Sequence, residues 1–206
     1  MLDGKALSLR TPGRPARVIA YHKPEGELVT RSDPEGRRTV FDRLPALRSG
    51  RWIAIGRLDL NSSGLILFTD SGELANRLMH PRHRIEREYA VRALGELSGD
   101  AERRLRTGIR LEDGVARFER IEPMGPDRPG SANRWYRVVL LEGRKREVRR
   151  LIEAAGARVS RLMRIRFGPI QLARHLKPGR WLELAPEEVR RLEKLPGNVV
   201  LVTKSC

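Results

Sequence analysis

Short apolar runs recur along the chain, each closed by glycine, proline or a charged turn, and they predict strands. Val18-Ile19-Ala20-Tyr21 is the first, stopped by His22-Lys23-Pro24-Glu25-Gly26. Trp52-Ile53-Ala54-Ile55 and Leu65-Ile66-Leu67-Phe68 are two more, read as buried strands joined by the polar connection from Gly56 to Gly64. Glu86 to Arg92 alternates polar and apolar, as a half-exposed strand does, and Trp135 to Leu141 is another strand. Val159, Leu162, Ile165 and Phe167 alternate in part with Arg161, Arg164 and Arg166, which predicts a basic strand or turn. Pro169 to Leu172 and Trp181 to Leu184 complete the predicted sheet, with a further short strand over 198–202.

Helical periodicity appears in fewer places. Ser71 caps a helix whose stripe is Leu74, Leu78 and Met79, stopped by Pro81. Ser98 to Thr107 is a short charged helix ended by Gly108; after it, Ile109 to Leu111 and Val115 to Ile121 form a hairpin turning at Glu112-Asp113-Gly114. The segment from Glu142 to Arg150 opens a helix in which Val148, Leu151, Ile152 and Ala155 make the buried face, and Gly156 ends it. Arg146 and Arg150 point away from that face, towards solvent or phosphate. Arg149 lies at its edge, about 60° from Ile152 on a helical wheel, and a cation at a core margin calls for a carboxylate. Pro186-Glu187-Glu188 starts a last helix running to Leu195. Residues 1–16 read as a leader with a short strand at Leu7 and Leu9, and Met124 to Ser131 as an exposed Pro/Gly-rich loop.

Charge changes the picture more than length does. The 206 residues suffice for one domain or two small ones. Lys and Arg number 42 against 26 Asp and Glu, a net charge of +16, which argues first for nucleic acid and second for an anionic membrane. From Gly143 to Arg166 there are nine Arg or Lys and two Glu, an electrostatic footprint for RNA or a solvated basic face. No run approaches the roughly 18 apolar residues of a membrane span, and no signal peptide is read before the first strand. Aromatics are few, which disfavours an open stacking platform for single strands. The single cysteine, Cys206, disfavours disulfides and thiolate zinc sites and fits a reducing cytoplasm.

Candidate chemistry centres on Asp59. It shares the polar connection with Arg57, on the same side of an extended backbone. The alternative is a turn in which Asp59 bonds its own backbone. His80 and His83 flank Pro81 with no other ligand type nearby, which suits a surface or an RNA contact better than a metal. Tyr89 is a core tyrosine or a site residue. The sequence lacks a magnesium-type carboxylate cluster, a Gly-rich phosphate loop and a Ser-His-Asp pattern, so phosphoryl transfer and metal-assisted hydrolysis are disfavoured. A lone carboxylate can still act as nucleophile or base on a glycosidic bond.

Gly56-Arg57-Leu58-Asp59 followed by Asn61-Ser62-Ser63-Gly64-Leu65 resembles the signature of the RsuA/RluB family of pseudouridine synthases. Lys23-Pro24 with Gly26 resembles its first motif, and the match runs through most of Val18 to Leu184. Two departures are visible: Ser62 where Thr is more usual, and Arg146-Glu147 where His-Gln is common. The resemblance implies an α+β fold, a mixed, mainly antiparallel sheet with flanking helices around a basic central cleft. It implies that Asp59 is the catalytic residue, Arg149 its pairing arginine and Tyr89 the active-site tyrosine. Arg57, Lys145, Arg146, Arg150 and Arg161 are the expected RNA contacts. It further implies that residues 17–206 are the catalytic domain, that 1–16 are the tail of a missing RNA-binding module, and that no cofactor or metal is used. The expected substrate is a uridine of large-subunit ribosomal RNA, acted on by a cytoplasmic monomer. Two rivals stand beside it: a non-catalytic RNA-binding or ribosome-assembly protein, and a synthase acting on transfer RNA.

Overall fold

The computed structural model describes residues 15–125 and 133–195; the expected strands at Leu7–Leu9 and 198–202, and most of the loop after Met124, lie outside them. The strands are β1 (Val18–Lys23), β2 (Ile53–Ile55), β3 (Ser63–Thr69), β4 (Arg87–Leu94), β5 (Ile109–Leu111), β6 (Gly114–Ala116), β7 (Arg120–Pro123), β8 (Asn133–Leu140), β9 (Arg158–Phe167), β10 (Ile170–Gln171) and β11 (Trp181–Glu183). Among the described residues four α-helices join them: α1 (Gly72–Met79), α2 (Gly99–Thr107), α3 (Glu147–Ala154) and α4 (Pro186–Glu193). The main sheet runs β11-β1-β3-β9-β4-β8-β7, with β2 added to β3 and β10 to β9, while β5 and β6 form a separate hairpin. Among the described residues every pairing between these strands is antiparallel except β3 with β9, so the α+β class with a mixed, mainly antiparallel sheet is as expected.

The sheet buries both faces where its strands are continuously apolar. Ile19, Tyr21, Ile66 and Phe68 join Tyr89, Val91, Tyr136 and Val138 in one core, which the buried residues of α2 and α3 complete. Val18, Ala20, Leu65 and Leu67 enter a second core on the other face, against Leu74 and Leu78 of α1 and Val189 and Leu192 of α4. Two-sided burial is why β1 and β3 read as unbroken hydrophobic runs. Ser71 and Ser98 cap α1 and α2, accepting from the main-chain N–H of Leu74 (3.3 Å) and Ala101 (3.1 Å).

Four expectations need correction. The run from Val115 to Ile121 is two strands: β6 pairs with β5, whereas β7 pairs with β8. Between them Phe118 turns inward, 1% exposed, and donates its main-chain N–H to the Leu105 carbonyl. Met79 is 37% exposed, and Ala75 fills the buried place beside Leu74 and Leu78. The third helix starts only at Glu147, because Arg146 sits at φ +52° and breaks helical geometry before it. The last helix stops at Glu193.

One joint positions everything that follows. The parallel contact between β3 and β9 is two residues long, Ser63 against Met163 and Gly64 against Arg164. Gly64 has φ +103°, and a Cβ there would lie 2.2 Å from the Arg164 carbonyl oxygen. Only glycine permits this approach. It brings the connection before β3 beside the side chains of β9 and β4.

Candidate active site

The connection between β2 and β3 forms one wall of a cleft of about 590 Å3. Arg57, Asp59 and Ser62 line it there, Tyr89 and Arg87 from β4, Arg164 from β9, and Glu142 to Val148 from the loop entering α3. The turn carrying Asp59 is held from below. The Ser62 N–H donates to the Asp59 carbonyl (3.0 Å), and the Gly26 N–H to the Leu60 carbonyl (2.9 Å). Lys23, wholly buried, donates its ammonium to the carbonyls of Ser62 (2.7 Å), Pro24 (2.9 Å) and, more weakly, Leu60 (3.4 Å). Burial pulls the Lys23 pKa down to about 8 against the attraction of Glu27, Glu25 and Asp59. Asp59-Leu60-Asn61-Ser62 is therefore a turn, as its composition suggests, but the main chain closes it. Among the described residues no donor reaches the half-buried Asp59 carboxylate, which is left open to the cleft.

Arg149 is 8% exposed and reaches the Asp59 turn at Asn61. The expected ion pair between the two is not a contact: among the described residues no carboxylate oxygen comes within 4.0 Å of Arg149. Its guanidinium donates to the carbonyls of Asn61 (2.7 Å) and Val159 (3.2 Å), so it braces the Asp59 turn against β9. Burial and the neighbouring Arg146 depress the Arg149 pKa, and Asp59 opposes them through space.

Of the expected RNA contacts, Arg57, Lys145 and Arg146 line the cleft, are exposed, and have no carboxylate within 4.0 Å among the described residues. The other two do not line the cleft. Arg150 is engaged by Asp113 at the β5–β6 turn, in a two-point pair at 2.9 and 2.8 Å. Arg161 alternates with Leu162 along β9, and since Leu162 lines the cleft, Arg161 projects from the opposite face of the sheet.

Three site residues escaped the sequence. Arg164, 2% exposed and opposite Tyr89 in register, donates to the Leu65 carbonyl (2.7 Å), while its Nη2 is buried without a partner. The alternation of β9 put arginines on one face but did not say which face would line the cleft. Arg87 donates to the Ile85 carbonyl (2.8 Å) and stands 5.3 Å from the centre of the Phe167 ring. Glu147, 2% exposed, accepts the Arg144 main-chain N–H at 3.0 Å; burial and the adjacent Glu142 carboxyl push its pKa up to about 7. A first-turn glutamate reads as a solvated helix charge, so no local signal marked it.

Such a cleft, with an open carboxylate, a tyrosine and a rim of exposed cations, has the charge to suit a polyanionic ligand. Comparison with known proteins carries this further. A family model described as RNA pseudouridylate synthase matches residues 17–154. The chain is 55% identical to Ribosomal large subunit pseudouridine synthase B of Yersinia pestis over 94% of its own length, and 54% identical to that of Escherichia coli K12, also over 94%. It spans 60% and 66% of those two relatives' lengths. A crystal structure of a pseudouridylate synthase superposes with a TM-score of 0.74 at 24% identity, over 86% of this chain and 74% of that one, a likeness of fold. The chain belongs to the RNA pseudouridylate synthase family.

Proposed function

We propose that this chain isomerises a uridine of large-subunit ribosomal RNA to pseudouridine, with Asp59 as the reacting acid. The observation that carries the proposal is the Asp59 carboxylate, open to a cleft rimmed by Arg57, Lys145 and Arg146. The relatives above, named for the large ribosomal subunit, support the choice of RNA. In the reaction the bond from ribose C1′ to uracil N1 breaks, the base turns while held, and C1′ bonds to C5. C5 loses a proton and N1 gains one, so the change is internally balanced. Asp59 acts as nucleophile or base at the ribose or the uracil ring. Tyr89 stacks against the uracil, and its hydroxyl relays the C5 proton. Arg149 keeps the turn in place through Asn61. The reacting atoms are hidden in stacked RNA, so the uridine must leave its stack, and the cationic rim supports that by holding phosphates.

The proposal includes action by residues 17–206 as a cytoplasmic monomer. Among the described residues no helix is long and apolar enough to cross a membrane. The test is Asp59→Asn with a large-subunit ribosomal RNA transcript: pseudouridine formation is lost while RNA affinity stays within about twofold of wild type. Full turnover by Asp59→Asn removes the catalytic assignment. Binding without turnover by the wild type makes the protein a binding or assembly factor, and turnover on transfer RNA alone reassigns the substrate.

A further inference from the structure

The sheet treats the cations on the face away from the cleft in two different ways. At one end every arginine is neutralised. Arg166 pairs with Glu88 and Glu86, both at 2.7 Å, Arg137 with Glu88 at 3.3 Å, and Arg120 with Glu86 at 3.6 Å. At the other end β9, β4 and β8 place Arg161, Arg92 and Trp135 in one cross-strand row, Arg161 opposite Arg92 and Arg92 opposite Trp135. Arg158 stands opposite Leu94 in the same corner. Arg158 and Arg161 are exposed, Arg92 and Trp135 half-buried, and Leu94 is 45% exposed. Among the described residues none of these three arginines has a carboxylate within 4.0 Å.

Like charges directly opposite on neighbouring strands destabilise a sheet. The same face carries glutamates where arginines are only structural, so the uncompensated row calls for an anion from outside. Arginine suits phosphate by its planar fork, and the indole beside it offers a flat face to a base. A row across three strands spans roughly 10 Å, room for more than one contact along a backbone.

We propose that this face is a second RNA-binding site, at which Arg92, Arg158 and Arg161 hold backbone phosphates and Trp135 meets a base. It rests on the reading of the cleft only for the identity of the ligand as the substrate RNA. The site takes a segment of that RNA other than the one entering the cleft, since the two surfaces lie on opposite faces of the sheet.

The experiment compares the full chain with the double variant Arg92→Ala/Arg161→Ala, using deproteinised large-subunit ribosomal RNA as probe. Affinity is measured across a salt series, kcat and KM are separated, and thermal unfolding is followed. Affinity falls about tenfold or more, and the slope of log K against log[salt] becomes shallower by roughly 0.7–0.9 for each lost contact. KM rises with kcat held, and the unfolding midpoint holds or rises because the charge repulsion is gone. Unchanged affinity and slope overturn the proposal, as does a fall in kcat with affinity intact. Loss of binding to anionic phospholipid vesicles with RNA affinity unchanged would give the face to a membrane instead. Absence of pseudouridine formation by the wild type would sink the catalytic reading while leaving the affinity comparison decisive for this surface.

Discussion

Arg149 and Asp59 illustrate how one side chain can serve another without touching it. Arg149 is bonded to the carbonyls of Asn61 and Val159, so its loss unbraces a turn and does not orphan a carboxylate. In a double-mutant cycle of Asp59→Asn and Arg149→Met, the coupling in stability should be under about 1 kcal/mol, against the 3–5 kcal/mol seen when a buried pair is broken. Coupling of the larger size, from urea unfolding of the four proteins, would restore the direct pair. Glu147 supplies a pH dependence of known sign. Its carboxyl keeps in the folded state, up to about pH 7, a proton that the unfolded chain releases near 4.5. Stability therefore falls as pH rises through that interval and levels off above it, by on the order of 2 kcal/mol. Glu147→Gln, which can neither ionise nor repel Glu142, should flatten the profile between pH 5 and 7.5. An identical profile in both proteins would put the titrating group elsewhere.

At the scale of elements, the site depends on a joint where three strands meet. β3 carries the Asp59 turn, β9 carries Arg164 and β4 carries Tyr89, yet β3 and β9 pair in register only at Ser63 and Gly64, with the Arg164 side chain reaching the Leu65 carbonyl. The sheet on either side is extensively paired, so strain at the joint shifts one half against the other without unmaking either. Gly64→Ala would push a methyl group into the Arg164 carbonyl and hold alanine at φ +103°. The expected cost is roughly 3 kcal/mol or more, from steric overlap and backbone strain together. Turnover should fall further than stability alone explains, because Asp59 moves relative to Tyr89. Gly64→Ala with wild-type melting and turnover would show that the joint has slack. Lys23, buried beneath the same turn, ties it to β1 through carbonyls of Leu60 and Ser62.

For the whole molecule, a net charge of +16 should make the proposed RNA affinity steeply dependent on salt. The structure divides that charge between cations that face the cleft and cations that are internally engaged. Arg146, exposed at the cleft, should on replacement by Ala weaken binding and reduce the salt slope by roughly 0.7–0.9. Arg150→Ala should change the slope much less, since Asp113 already neutralises Arg150. Its effect should appear as a loosened contact between α3 and the β5–β6 turn. Equal slopes for Arg146→Ala and Arg150→Ala, from binding titrations at several ionic strengths, would contradict this division.

Local patterns in the sequence determined most of the strands among the described residues, where Ser71 and Ser98 start helices, and that Asp59 stands in a polar connection next to Arg57. Those features depend on neighbours a few residues away, and hydrophobic spacing and turn chemistry record them directly. The tertiary structure alone decided which residues meet. Arg149 finds Asn61, 88 positions away, and Arg150 finds Asp113, 37 positions away, because α3 packs where the register of β9 puts it. Register also sends Arg164 into the cleft and Arg161 to the far face, and irregularities on either side of that stretch of β9 reset the alternation. A one-residue slip exchanges the two faces of a strand, and nothing within a strand's own sequence of alternating arginines says which face will meet the ligand.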